Sequence, residues 1–214
     1  MVRKINPKIE QKQLPYKLYY FVCEDAKSMR YYLQGLKRKY DGKRIVIKTE
    51  KAKSGNDAKS VYKSAIEKRK EISKRKANYP NGYEIIACFD KDNNDIIDIK
   101  SIFSKNQRLY NIKVIYNNPC YEYWLLLHIT RTTKIFTNSR QCCHETMLKI
   151  NDYYHQNFED VDELKKADNI FEIMGSDLPK AIQNAKFLNF NDDCIDETYT
   201  NAHVVFEEIV NTAN

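Results

Sequence analysis

The chain has 214 residues, 42% of them hydrophobic and 30% charged, with a formal net charge of +7, enough to bury about 70% of its unfolded surface in one domain or one domain with a helical annex. No apolar stretch approaches the ~20 residues of a membrane helix, and Met1 to Gln13 is basic and polar without the apolar centre of a secretory signal, so a cytoplasmic location away from membranes is expected. The charge is uneven: residues 1–80 carry 23 Lys and Arg against 8 Asp and Glu, and the remainder 13 against 21. A basic front can follow a phosphate backbone, while an acidic remainder can hold divalent cations or simply stay solvated.

In chain order, Lys17 to Cys23 is an apolar, β-branched and aromatic run of strand length, followed by Glu24 and by a helix from Ala26 to Tyr40 with Met29, Tyr32, Leu33 and Leu36 at helical spacing. Arg44 to Thr49 reads as a second strand. After Ser54-Gly55-Asn56, Asp57 caps a long basic helix reaching about Ala77. Asn81-Gly82 is a turn, Glu84 to Phe89 a third strand apolar on both faces, and Ile99 to Leu109 a helix. Ile112 to Tyr116 makes a fourth strand. This alternation predicts an α/β fold with a mostly parallel, Rossmann-like four-stranded sheet whose ligands gather beyond the C-terminal strand ends. From Cys120 the pattern is mainly helical, over Tyr121 to His128, Gln141 to His155, Leu178 to Phe187 and Asn201 to Val210. The expected organisation is a basic extension 1–16, a core 17–130 and a helical part 131–214 packed on it, all one domain. Of six cysteines, Cys142 and Cys143 are adjacent, a poor spacing for a metal clamp, so buried free thiols are expected.

The candidate chemistry sits at strand ends. Glu24 follows the first strand, and Asp90 and Asp92 follow the third, two apart and therefore able to converge while Lys91 points elsewhere. Hard oxygen ligands suit Mg2+ or Mn2+, although Asp-x-Asp alone is also a common solvated turn. Pro119 and Asn118 are placed to open the helix after the fourth strand, which puts Glu122 near its first turn, as a metal ligand, a water-positioning group or a partner of the helix dipole. His128, one turn beyond Trp124, reads as a structural hydrogen-bonder. Lys27 and Ser28 can hold a phosphate oxygen at a helix start, and Lys68 and Arg69 lie on the basic helix that either contacts nucleic acid or is solvated. Neither a Walker loop nor G-x-G-x-x-G is present.

YYFVCEDAKS resembles the strand-Cys-Glu-Gly-x-Lys-Thr opening of the RloB-like family, ACFDKD resembles its Asp-x-Asp strand, and NNPCYEYWLLLH its Asn-Pro-x-x-Glu-x-Trp-Leu-Leu-Leu-His block. With NAHVVFEEIV the likeness runs over about residues 17 to 210. The resemblance implies a Toprim-type fold in which Glu24, Asp90 and Asp92 take the acidic-triad positions and Glu122 that of an additional glutamate. Asn118 and His128 match as supporting residues. The family's glycine after the first glutamate is Asp25 here. The implied activity is Mg2+- or Mn2+-dependent hydrolysis of DNA or RNA in prokaryotic antiphage defence, often abortive infection, with an ABC-type or AAA-type ATPase encoded nearby as partner and self-association left open. Lys27 or Lys91 would neutralise phosphate charge. The rival reading is a non-catalytic regulatory or nucleic-acid-binding subunit of the same kind of complex, and nucleotidyl transfer is a third.

Overall fold

The computed structural model describes residues 16–24, 27–53, 55–92, 94–188 and 197–214, with the side chains of 106–108 left out. The basic stretch 1–15 and Asp25 lie outside the described residues. Five strands, β1 (Lys17–Cys23), β2 (Ile45–Lys51), β3 (Tyr83–Asp90), β4 (Lys113–Asn118) and β5 (Tyr199–Thr200), form one sheet in the order β2-β1-β3-β4-β5. The first four are parallel and β5 is antiparallel to β4. The sheet is therefore mixed and five-stranded instead of four-stranded. A two-residue strand has no alternation to announce it; it is held because Asn201 mimics a ladder partner, its Oδ1 accepting from Tyr116 N at 2.8 Å and its Nδ2 donating to Val114 O at 2.8 Å.

The period-2 alternation of β1 and β3 sorts their side chains onto two cores. Tyr19, Phe21 and Cys23, with Ile86 and Cys88, lie under α1 (Lys27–Tyr40) and the later helices. Leu18 and Val22, with Ile85, Ala87 and Phe89, lie under α2 (Ala58–Ser73) and α3 (Ile96–Leu109). Both faces being covered explains why these strands are apolar throughout. Asp57 does cap α2, its carboxylate accepting from Ser60 N at 3.0 Å, but the helix ends at Ser73 and a 3-10 turn follows at Lys76–Asn78. The helix after β4 begins later than Asn118-Pro119 suggests. That bond is cis, Asn118 closes β4, the Pro119 carbonyl accepts from Asp92 N at 3.0 Å, and α4 runs Glu122–Ile129 with Tyr121 at its N-cap. Asn118 and Pro119 thus shape the turn and do not cap the helix.

The C-terminal layer comprises α5 (Ser139–Tyr154), α6 (Val161–Lys166), α7 (Ile170–Met174), α8 (Leu178–Lys186) and α9 (Ala202–Ala213). It wraps α4, a helix apolar on every side and fully buried from Glu122 to His128. The short α6 and α7 are stabilised by packing on α1, α5 and the following 3-10 turn rather than by their own length. At Gly35 of α1, an added Cβ would come within 2.3 Å of Phe171 Cβ. Gly35→Ala should therefore destabilise the fold by about 2 kcal/mol through overpacking, read as a lowered urea midpoint at unchanged slope; no loss would mean that α7 shifts freely. At the sheet's opposite end, Glu208 of α9 binds Lys17 at 2.7 Å and Lys113, tying the last helix to the starts of β1 and β4. Partial burial would raise the Glu208 pKa, yet Lys113 and Lys17 hold it below the usual carboxylate range.

Candidate functional site

Because β2 and β3 lie on opposite sides of β1, the chain changes direction between β1 and β3, and the crevice beyond their C-terminal ends is the place such sheets offer a ligand. Glu24 is the residue after β1, and Asp90 is the last residue of β3, with Asp92 two beyond. All three line one cavity of about 190 Å3, together with Asn56 from the approach to α2. Asp90 and Asp92 also line an adjoining cavity of about 250 Å3, whose other wall includes Lys27 and Ser28 of α1, Glu122 of α4 and Lys165 of α6.

Each carboxylate is held by a defined partner. Glu24 Oε2 accepts from the Asp90 backbone N at 3.2 Å. Asp90 Oδ1 accepts from Asn117 Nδ2 at 2.9 Å, and Asn117 is itself fixed by Thr200 at 2.7 Å. Exposed Asp92 accepts from Ser139 Oγ at 2.8 Å. Buried Glu122 accepts from Ser28 Oγ at 2.7 Å and from Cys143 Sγ at 3.3 Å. Burial, then the neighbouring Glu122 charge, push the Asp90 carboxyl well above its ordinary range, with Glu24 adding to them and Asn117 opposing. Burial alone would lower the Lys165 pKa, but the Glu122, Cys143, Cys120 and Asp90 groups around it raise it. The crevice thus gathers the carboxyl groups of Glu24, Asp90, Asp92 and Glu122, with the ammonium groups of Lys27, Lys165 and Lys166 along its second cavity.

Of the other residues named from sequence, Lys27 is exposed at the cavity mouth, whereas the Ser28 hydroxyl is engaged by Glu122. Lys91 turns away, Nζ donating to Asn94 O at 2.9 Å. Lys68 and Arg69 lie about 15 Å along α2 from its crevice end, and Lys68 is paired with Glu71 at 2.9 Å and Glu50 at 3.2 Å. Asn118 is buried at the end of β4. His128 lies inside the core, Nδ1 donating to Trp124 O at 3.1 Å and Nε2 accepting from Tyr32 OH at 2.9 Å. Nothing in the sequence singles out Lys165, Asn117 or Ser139, since each reaches the crevice from a different element. Among the described residues, the ligand atoms that converge within 4.8 Å are those of Cys120, Glu122 and Cys143 rather than the triad. Cys143 therefore finds its partner across the fold, in Cys120, and not in the adjacent Cys142.

Fold and crevice define a doubly wound α/β protein with an acidic site at its topological switch point. The chain belongs to the RloB-like family: the family model described as RloB-like protein matches residues 19–209. Comparison with curated proteins and with solved structures returns no match. No helix among the described residues is long and apolar enough to cross a membrane.

Proposed function

We propose that this chain is a Toprim-type, divalent-metal-dependent nuclease hydrolysing phosphodiesters of DNA or RNA, the effector of an antiphage system controlled by a partner ATPase. The observation that carries the reading is that Glu24, Asp90 and Asp92, from two non-consecutive strands, line a single cavity at the switch point. The donor set fits a hard cation. It consists of oxygens only, and Asp90, destabilised as an anion by burial and by Glu122 and Glu24, is a group whose charge a cation would relieve. Glu24, Asp90 and Asp92 would hold Mg2+ or Mn2+, which when bound supplies Lewis-acid polarisation of the phosphate and a more acidic water.

The chain's own groups do the rest. The Asp90 N–H orients Glu24, the Asn117 amide fixes Asp90 and the Ser139 hydroxyl holds Asp92, so that all three carboxylates have a partner before a ligand arrives. Lys27, Lys165 and Lys166 at the second cavity counter the charge of a phosphate backbone. The ATPase partner is inferred from the family likeness alone.

The test is cleavage of supercoiled DNA, single-stranded DNA and total tRNA with Mg2+ or Mn2+, with and without the neighbouring ATPase. Glu24→Gln keeps an acceptor for Asp90 N and should cut metal-dependent cleavage about 100-fold or more, because a catalytic cation is worth several kcal/mol. Wild type that cleaves nothing while binding the ATPase would instead establish the regulatory subunit.

A further inference from the structure

We propose that Cys120, Cys143 and Glu122 form a second metal site, suited to a thiophilic zinc-class cation, directly behind the carboxylate crevice. The three come from separate elements: Cys120 from the β4–α4 turn, Glu122 from the first turn of α4, Cys143 from the first turns of α5. Cys120 Sγ and Cys143 Sγ are 3.6 Å apart, Cys143 Sγ and Glu122 Oε2 are 3.3 Å apart, and all three ligand atoms fall within 4.8 Å of one another. Zinc bonds of ~2.3 Å to sulfur and ~2.1 Å to oxygen at tetrahedral angles require edges of roughly 3.8 Å and 3.6 Å. The two measured edges, 3.6 Å between the sulfurs and 3.3 Å from Cys143 Sγ to Glu122 Oε2, each need only about 0.2–0.3 Å of adjustment, and the third, from Cys120 to Glu122, lies within 4.8 Å. A disulfide would need the sulfurs to close to about 2.0 Å and would take from Glu122 its thiol partner.

The second observation is Glu122 itself. It is 2% exposed, and buried carboxylates are normally ion-paired or metal-bound. Among the described residues no Lys or Arg comes within ion-pair distance of it, and the Lys165 ammonium acts on it only across the shared cavity; its carboxylate hydrogen-bonds with one hydroxyl and one thiol. Ser28 holds Oε1 and thereby directs Oε2 at the sulfurs, the role an outer-shell donor plays around a metal ligand. Two sulfurs set the selectivity: thiolates favour zinc over Mg2+, whereas Glu24, Asp90 and Asp92 offer only hard oxygen. Cys120 and Glu122 also line the 250 Å3 cavity, so an ion there keeps a fourth position open toward the crevice, as zinc sites with three protein ligands do.

Metal binding, not cleavage, is the readout, so the outcome is independent of the nuclease reading. The reduced full chain is titrated with Zn2+ and, separately, with Co2+ followed by absorption. One zinc per chain is expected, with a rise in melting temperature of about 5–10 °C at 100 times the dissociation constant, and Co2+ should give thiolate-to-metal charge-transfer absorption. Cys143→Ala and Cys120→Ala should each weaken Zn2+ binding by more than about 100-fold and Ser28→Ala by about 10- to 100-fold, with Cys23→Ala unchanged. The Co2+ spectrum of the wild type decides the matter even if a cysteine variant does not fold. A spectrum without thiolate absorption, equal Zn2+ affinity in wild type and Cys143→Ala, or a Cys120–Cys143 disulfide formed in place of Zn2+ uptake would overturn the site.

Discussion

Asp90→Asn is expected to abolish metal-dependent cleavage and at the same time to make the protein more stable. The two effects share one cause. Asp90 ends β3 in a mostly protein environment, and burial together with the Glu122 and Glu24 carboxylates drives its pKa well above the ordinary range, so its anion is a burden on the fold that only a bound cation would offset. Asparagine keeps the acceptor for Asn117 Nδ2, 2.9 Å away in the wild type, and carries no charge. A gain of about 1 kcal/mol, or a few degrees in melting temperature, is expected without metal, against a loss of about 100-fold or more in cleavage.

The sign with pH follows from linkage. A carboxyl whose folded pKa is raised binds more protons in the native state, so its contribution is fully present below the unfolded value near 3.9 and is lost as pH rises through the folded value. The advantage of Asp90→Asn should therefore widen from pH 5 to pH 8, and Mg2+ should stabilise wild type but not the variant. Melting curves with and without Mg2+ at these two pH values suffice. A variant less stable than wild type at pH 8 would identify Asp90 as a structural carboxylate.

His128 has the opposite pH signature. Its ring is fully buried between Trp124 and Tyr32, edge-on to both, and burial pushes its pKa down to about 4. The unfolded chain, near 6.5, then binds more protons, so stability falls as pH drops from about 6.5 through 4, by about 3 kcal/mol over the whole window. His128→Ala removes that dependence, leaves the Tyr32 hydroxyl buried without its partner, and opens a cavity, costing about 3–4 kcal/mol at neutral pH. Urea midpoints at pH 7 and pH 5 for both proteins test this; an unchanged pH slope in His128→Ala would place the acid sensitivity elsewhere. Inside the core His128 makes two hydrogen bonds, to Tyr32 and to the Trp124 carbonyl.

Much of the fold is legible in local pattern. The bounds Lys17–Cys23 for β1, the Asp57 cap and the placement of Asp90 at a strand end rest on alternation, capping chemistry and apolar runs that act within a few residues. From them follow the order of strands and helices, the covered parallel sheet and the carboxylates at its C-terminal edge. Other features depend on contacts between distant segments. β5 is two residues long and exists because Asn201 completes the β4 edge. α6, only six residues, brings Lys165 to the crevice by packing on α1 and α5. The basic face of α2, prominent in composition, is partly neutralised by Glu50, Glu71 and Asp98 and lies largely away from the crevice.

By itself, then, the amino-acid order determined which segments are strands and helices, and therefore which residues stand at the strand ends. The tertiary structure alone decided which side chains meet: Ser28 with Glu122, Asn117 with Asp90, and Cys120 with Cys143 instead of Cys143 with its neighbour. Backbone periodicity is a short-range property written residue by residue. The pairing of side chains 23, 27 or 94 positions apart is set by how whole layers settle on one another to fill the core, which no local pattern encodes.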